Sequence, residues 1–120
     1  MNAPEHFNIT AITYFNFVVD ELEKIDKLNP TDQPIIERLA FNLATVEACE
    51  KELLQDGFTV MGPHGKKEHP AVSTSMKSQG KILESFKLLG LDASSRFKEE
   101  QAKPEDLNND PLIQLLRTKF

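Results

Sequence analysis

The chain has a single cysteine, Cys49, so it cannot close an internal disulfide. Cys49 falls in a helical pattern and reads as a small apolar residue, which suits a reducing, cytosolic setting. No apolar run approaches the roughly 18 residues of a membrane span. The opening MNAPEHFNIT lacks the basic and apolar regions of a secretion signal. There is no GxxxxGK[ST] phosphate loop. No spaced acidic cluster reads as a two-metal nuclease site. Internal repeats and low-complexity tracts are missing too. A span, a secreted disulfide scaffold and a nucleotide hydrolase are therefore all disfavoured, and no cofactor is expected.

What is present is a small, acidic chain. Its 120 residues suit one domain that buries about two-thirds of its unfolded surface. The apolar share, 39%, is low enough that assembly with further copies would help complete a core. Net charge is −5 but uneven: residues 1–61 hold four Lys or Arg against eleven Asp or Glu. Residues 62–98 reverse this, with seven against three, and residues 99–120 hold three against five. A basic middle in an acidic whole argues against broad nucleic-acid coating and permits a local anion-binding surface.

Periodicity predicts three helices. From Phe7 to Leu28, Ile12, Phe15, Val18, Val19, Leu22 and Ile25 recur at three- and four-residue steps. Asn29-Pro30 is the expected stop. Thr31 or Asp32 is expected to cap a second helix, with Pro34 in its first turn. Its buried side is Ile35, Ile36, Leu39, Leu43, Val46, Leu53 and Leu54, widened by Phe41 and Ala44; Gly57 ends it. The two helices are expected to pack as an antiparallel hairpin. Residues 58–67, FTVMGPHGKK, read as a short β-hairpin or ordered loop.

The third helix opens at Pro70 and stops at Gly90. Val72, Met76, Ile82, Leu83, Phe86 and Leu89 are expected to point one way, with Lys77 and Lys81 opposite. Gly80 costs about 1 kcal/mol relative to alanine inside a helix, so a close approach of another backbone is one reading. A fourth helix is expected from Asp92 to about Gln101. The fold class is thus mainly α: a helical hairpin, a short β-hairpin or loop, and a third helix. Residues 1–102 form the helical unit, and residues 103–120 a linker with a C-terminal apolar motif.

These pieces, in this order, resemble the small terminase subunit of tailed bacteriophages. Leu28-Asn29-Pro30-Thr31-Asp32 resembles the family's link into its central helix. Gly57 and the turn from Gly62 to Gly65 resemble its mid-chain hairpin. His69-Pro70-Ala71 resembles the next helix opening, and Gly90-Leu91-Asp92-Ala93-Ser94-Ser95-Arg96 its closing signature, with Ala93 where the family usually has proline. The resemblance runs from Thr10 to Lys98. It implies a non-enzymatic subunit that assembles into a homo-oligomeric ring and binds double-stranded viral DNA at the packaging initiation site. It further implies regulation of the large terminase subunit, which supplies the ATPase and nuclease. The implied setting is the cytoplasm of the infected host, not the mature virion.

Candidate DNA contacts are Lys66, Lys67, Lys77, Lys81, Lys87, Arg96 and Lys98. Repeated around a ring, such charges make a positive belt for phosphates. Against this stands their reading as ordinary solvated side chains. Arg38 and Asn42 lie on a helix in an acidic neighbourhood and do not promise base reading. Phe15, Val19 and Leu22, with Arg96, are the candidate subunit interface; burial within one chain is the competing reading. Leu112, Ile113, Leu115, Leu116 and Phe120 are the candidate dock for the large subunit. His64 and His69 are too poorly supported by other ligands to read as a metal site; His69 reads better as part of the helix entrance. Ser94, Ser95 and Arg96 read as a cap with an intersubunit ion pair rather than an anion site. The rival functions are a helical DNA-binding regulator and a scaffold without DNA affinity.

Overall fold

A computed structural model of the chain describes residues 1–94. The elements are helix α1 (Ile9–Lys24), a 3-10 turn (Pro30–Asp32), helix α2 (Gln33–Asp56), strands β1 (Thr59–Gly62) and β2 (Gly65–Glu68), and helix α3 (Pro70–Leu89). The two strands make one antiparallel sheet. None of the described helices is long and apolar enough to cross a membrane.

Each boundary has a local cause. Asn8 caps α1 by accepting a hydrogen bond from the Ala11 amide at 2.9 Å. The helix ends four residues before the expected Leu28. Asp26 turns left-handed (φ 56°), and the Lys27 amide closes onto the Leu22 carbonyl at 2.8 Å, so the chain leaves the helix before it meets Pro30. At the start of α2 the expected cap is also displaced. The Asn29 side chain accepts from the Thr31 amide at 3.0 Å and caps the 3-10 turn. Asp32 sits at the α2 N-cap without a side-chain bond, because the helical path has already begun at Pro30. Gly57 (φ 85°) ends α2, and Gly90 (φ 73°) ends α3, both in backbone that side-chain-bearing residues rarely adopt.

α2 is the central element and packs against both α1 and α3. Phe15, Val18 and Leu22 of α1 and Ile36 and Leu39 of α2 are fully enclosed. Phe7, half a turn before α1, is buried with them and lies 6.1 Å, ring to ring, from Phe41. Ile82, Leu89 and the half-buried Phe86 bring α3 into the same core. At the far end of α2, Cys49 and Leu53 pack on Ala71, so the C-terminal end of α2 meets the N-terminal end of α3.

Four apolar expectations are corrected. Phe41, expected to widen the buried side of α2, is 46% exposed. Leu54 is 86% exposed. The 24-residue α2 outruns the 16-residue α1 by about 12 Å, at 1.5 Å per residue, so its last turns gain cover from one side only. On α3, Met76 and Leu83 are about two-thirds exposed rather than buried. The face that meets α2 is Ala71, Ser75, Ser78, Ile82, Ser85 and Leu89. These follow one another at steps of four and three, the spacing of a helix seam. The seam is mostly small, which lets α3 lie close on α2, and it turns the bulkier Met76 and Leu83 outward.

Candidate nucleic-acid interface

The candidate DNA-contacting lysines within 1–94 sit on two elements, the β-hairpin and α3. Pairing in the hairpin sets Thr59 against Glu68, Val60 against Lys67, Met61 against Lys66 and Gly62 against Gly65. Pro63 and His64 form the two-residue tip, and Gly65 takes a positive φ of 115°. Side chains alternate across a strand, so Lys66 and Lys67 project from opposite faces. Lys66 shares its face with the exposed Met61. The Lys67 stem lies along Gly62; a Cβ on that glycine would sit 3.0 Å from Lys67 Cδ. The two adjacent lysines therefore flank the hairpin rather than form one cluster.

Lys77 and Lys81 are exposed one turn apart on one side of α3. Lys81 lies 3.5 Å from Glu84, which offsets part of its charge. Lys87, in the last turn, points about 80–120° round the helix from that pair, as a step of 100° per residue requires. Arg96 and Lys98 lie outside the described residues, as do Ser95, the linker from 103 and the apolar motif Leu112, Ile113, Leu115, Leu116 and Phe120; so does nearly all of the helix expected from Asp92. The candidate lysines that are described thus lie on both faces of the hairpin and on two sides of α3 rather than in one cluster.

The hairpin is tied to α3 through His69. This residue is buried and precedes Pro70. Its Nδ1 accepts from the Ala71 amide at 3.0 Å, which caps α3. That bond leaves the ring proton on Nε2, which faces Asp56 Oδ2 at 3.3 Å. The His69 amide donates to the Phe58 carbonyl at 2.9 Å. One residue therefore joins the end of α2, the start of the hairpin and the start of α3, through its ring and its backbone amide. Both ring nitrogens are engaged, so His69 is structural, as its place before Pro70 suggested. Asp56 as its partner was not legible in the sequence, since 13 positions separate them.

The expected subunit interface is corrected. Phe15 and Leu22 are completely enclosed and Val19 is 8% exposed, all inside this chain. α2 packs against this stripe, and Phe7 and the α3 residues Ile82 and Leu89 join the same core, while Ile12 and Ile25 at the ends of the stripe are half-buried. The apolar side chains left outward are different ones, including Ile9, Phe17, Met76, Leu83 and Leu88. Arg38 and Asn42 also take structural places. The Arg38 guanidinium lies over the Phe41 ring, 5.5 Å from its centre, and Asn42 is half-buried. Tyr14 is half-buried, and burial, then Glu47 and then Glu50, push its phenol pKa above the ordinary value.

No curated protein and no solved structure matches the chain. A family model described as phage terminase, small subunit, matches residues 11–106, which takes in α1, α2, the hairpin and α3. On that match over most of its length the chain belongs to the phage terminase small subunit family, and its role lies in phage DNA packaging.

Proposed function

We propose that this chain assembles into a ring that holds double-stranded viral DNA at the packaging start and recruits and regulates the large terminase subunit. The observation that carries this reading is the family match across residues 11–106, a span that includes every exposed lysine of the hairpin and α3. Supporting it, Lys66, Lys67, Lys77, Lys81 and Lys87 are all accessible to phosphate. A few cations per copy suffice once many copies act together. ATP hydrolysis and cutting then belong to the large subunit, which acts with this one in the cytoplasm of the infected host. Arg96 and Lys98 would extend the basic track. Leu112, Ile113, Leu115, Leu116 and Phe120 would dock the large subunit.

Duplex binding measured against salt tests the DNA contact. The Lys66→Glu, Lys67→Glu, Lys81→Glu triple variant should bind more weakly and with a shallower salt slope while its assembly state is unchanged. Equal affinity and slope would favour a scaffold without DNA affinity. Removing residues 104–120 should abolish stimulation of the large subunit's ATPase and leave self-assembly intact. Full stimulation by the truncated chain would reject the tail as the dock.

A further inference from the structure

The β-hairpin is open on both faces. Every residue from Thr59 to Glu68 is exposed or half-buried, so neither side of the sheet is packed under a helix. Its last pair, Gly62 and Gly65, carries no side chains, and only Pro63 and His64 lie beyond it. The leading end is therefore a slender wedge, one backbone thick. Just behind it stand Met61 with Lys66 on one face and Val60 with Lys67 on the other. The bare Gly62 lets the Lys67 stem lean toward the tip, since a Cβ on that glycine would sit 3.0 Å from Lys67 Cδ. Glu68, the one carboxylate of the hairpin, lies farther from the tip than either lysine.

We propose that the hairpin enters the minor groove of duplex DNA tip first, with Lys66 and Lys67 each reaching the phosphates of a different strand, a geometry that rests on the duplex binding proposed above. The minor groove is a slot about 6 Å wide between two rows of phosphates. A two-stranded ribbon is broad across its strands, which lie about 4.8 Å apart, and thin through its faces. Set with its faces toward the walls, it offers the slot its thin dimension and lays its strands along the groove. Side chains stand perpendicular to a sheet, so cations on opposite faces then point at opposite walls. The exposed Met61 and the half-buried Val60 give each face an apolar side chain for the deoxyribose walls. Pro63 gives the tip an apolar edge of the kind that lodges against base steps. The bond from the His69 amide to the Phe58 carbonyl, 2.9 Å, holds the base of the ribbon where α2 ends and α3 begins.

Insertion differs from a positive belt laid on the outside of the duplex. A belt uses whichever lysines face the DNA, so a hairpin lying flat would use Lys66 or Lys67 but not both. The major groove, about 12 Å wide, admits such a flat ribbon with one face on the base edges. Only a slot with a phosphate row on each side employs both faces alike. The split of the two lysines, which looks wasteful for a cluster, is what a two-walled site requires.

Binding of the full chain to an all-A·T duplex tests the insertion. Netropsin, which fills the minor groove, should weaken binding at least tenfold, and methyl green, which occupies the major groove, should not. Lys66→Ala and Lys67→Ala should each weaken binding several-fold and flatten the salt dependence to the same degree. Whatever binding the double variant retains should no longer respond to netropsin. An iron chelate attached at His64→Cys should cut both strands, and netropsin should suppress the cutting; the wild-type chain, whose Cys49 is buried, is the uncut control. Displacement by methyl green instead of netropsin overturns the minor-groove assignment. Loss at one lysine alone means that the hairpin lies flat, and also overturns it. Salt-dependent binding that ignores both lysines and gives no cutting rejects the insertion and leaves duplex binding standing on other residues. A wild-type chain that binds no duplex rejects both.

Discussion

The α1–α2 half and the hairpin–α3 half are built on opposite plans. In the first, large side chains meet across the contact: Phe15, Val18, Leu22, Ile36 and Leu39 are all fully enclosed. In the second, the α3 surface against α2 is Ala71, Ser75, Ser78 and Ser85, with only Ile82 and Leu89 large. The large apolar groups of that half, Phe58, Met61, Met76, Leu83 and Leu88, are exposed instead. Burial of large apolar area stabilises the first half within one chain. The second half is held by small residues against α2 and by the His69 junction, and its large apolar side chains are left exposed. The charge follows the same division, acidic in the first half and richer in lysine in the second.

This contrast can be broken in several ways. Phe15→Ala should cost about 3–5 kcal/mol in denaturant unfolding, because a fully enclosed ring leaves a cavity. Leu83→Ala, by the same measurement on monomeric protein, should change stability by less than about 0.5 kcal/mol, the range for exposed positions. A comparable cost at both sites would erase the distinction between the halves. His69→Ala should cost about 1–2 kcal/mol through loss of the α3 cap, and His69→Asn, which can still accept from the Ala71 amide, should recover most of it. Hydrogen exchange should place the loss at the hairpin and the first turns of α3, with α1 unaffected. Equal loss in α1 would mean that the halves unfold as one.

Gly80→Ala should act the other way and stabilise monomeric chain by roughly 1 kcal/mol, since the added Cβ meets nothing and helix propensity rises. The smallest effect concerns pH. Burial, Glu47 and Glu50 raise the Tyr14 pKa in the folded chain, so folding holds the phenol proton more tightly than the unfolded state does. That contribution is present below the ordinary phenol value of 10.0 and is lost as pH rises through the raised one. Tyr14→Phe should therefore flatten the alkaline fall of stability. An unchanged alkaline limb would show that Tyr14 does not contribute to it.

The same division explains what could be read early. The helix stripe of α1, the stops at Gly57 and Gly90, the two-strand hairpin and the α3 start at Pro70 were legible, because each depends on near neighbours in the chain. The α3 orientation was not. Of the expected stripe, Ile82 and Leu89 are buried and Val72 and Phe86 are half-buried against the core, but Met76 and Leu83 are exposed, and the adjoining serines take their place on α2. The three- and four-residue steps from Ala71 to Leu89 were the available signal, but small polar residues do not announce burial. For the candidate site, the lysines were visible as a basic stretch, while the split of Lys66 and Lys67 across the hairpin depends on strand pairing.

Order along the chain thus determined the elements: capping side chains, left-handed glycines and helix periods act over a few residues, and no distant partner can easily override them. Tertiary structure decided which face of each element is inside. α2 is longer than α1, so Leu54 lies uncovered, and α3 rests on its smallest side chains, so Met76 and Leu83 remain outside. Burial is a property of pairs of surfaces. It is settled only when two helices meet, and the closest fit, not the greasiest stripe, set the orientation of α3.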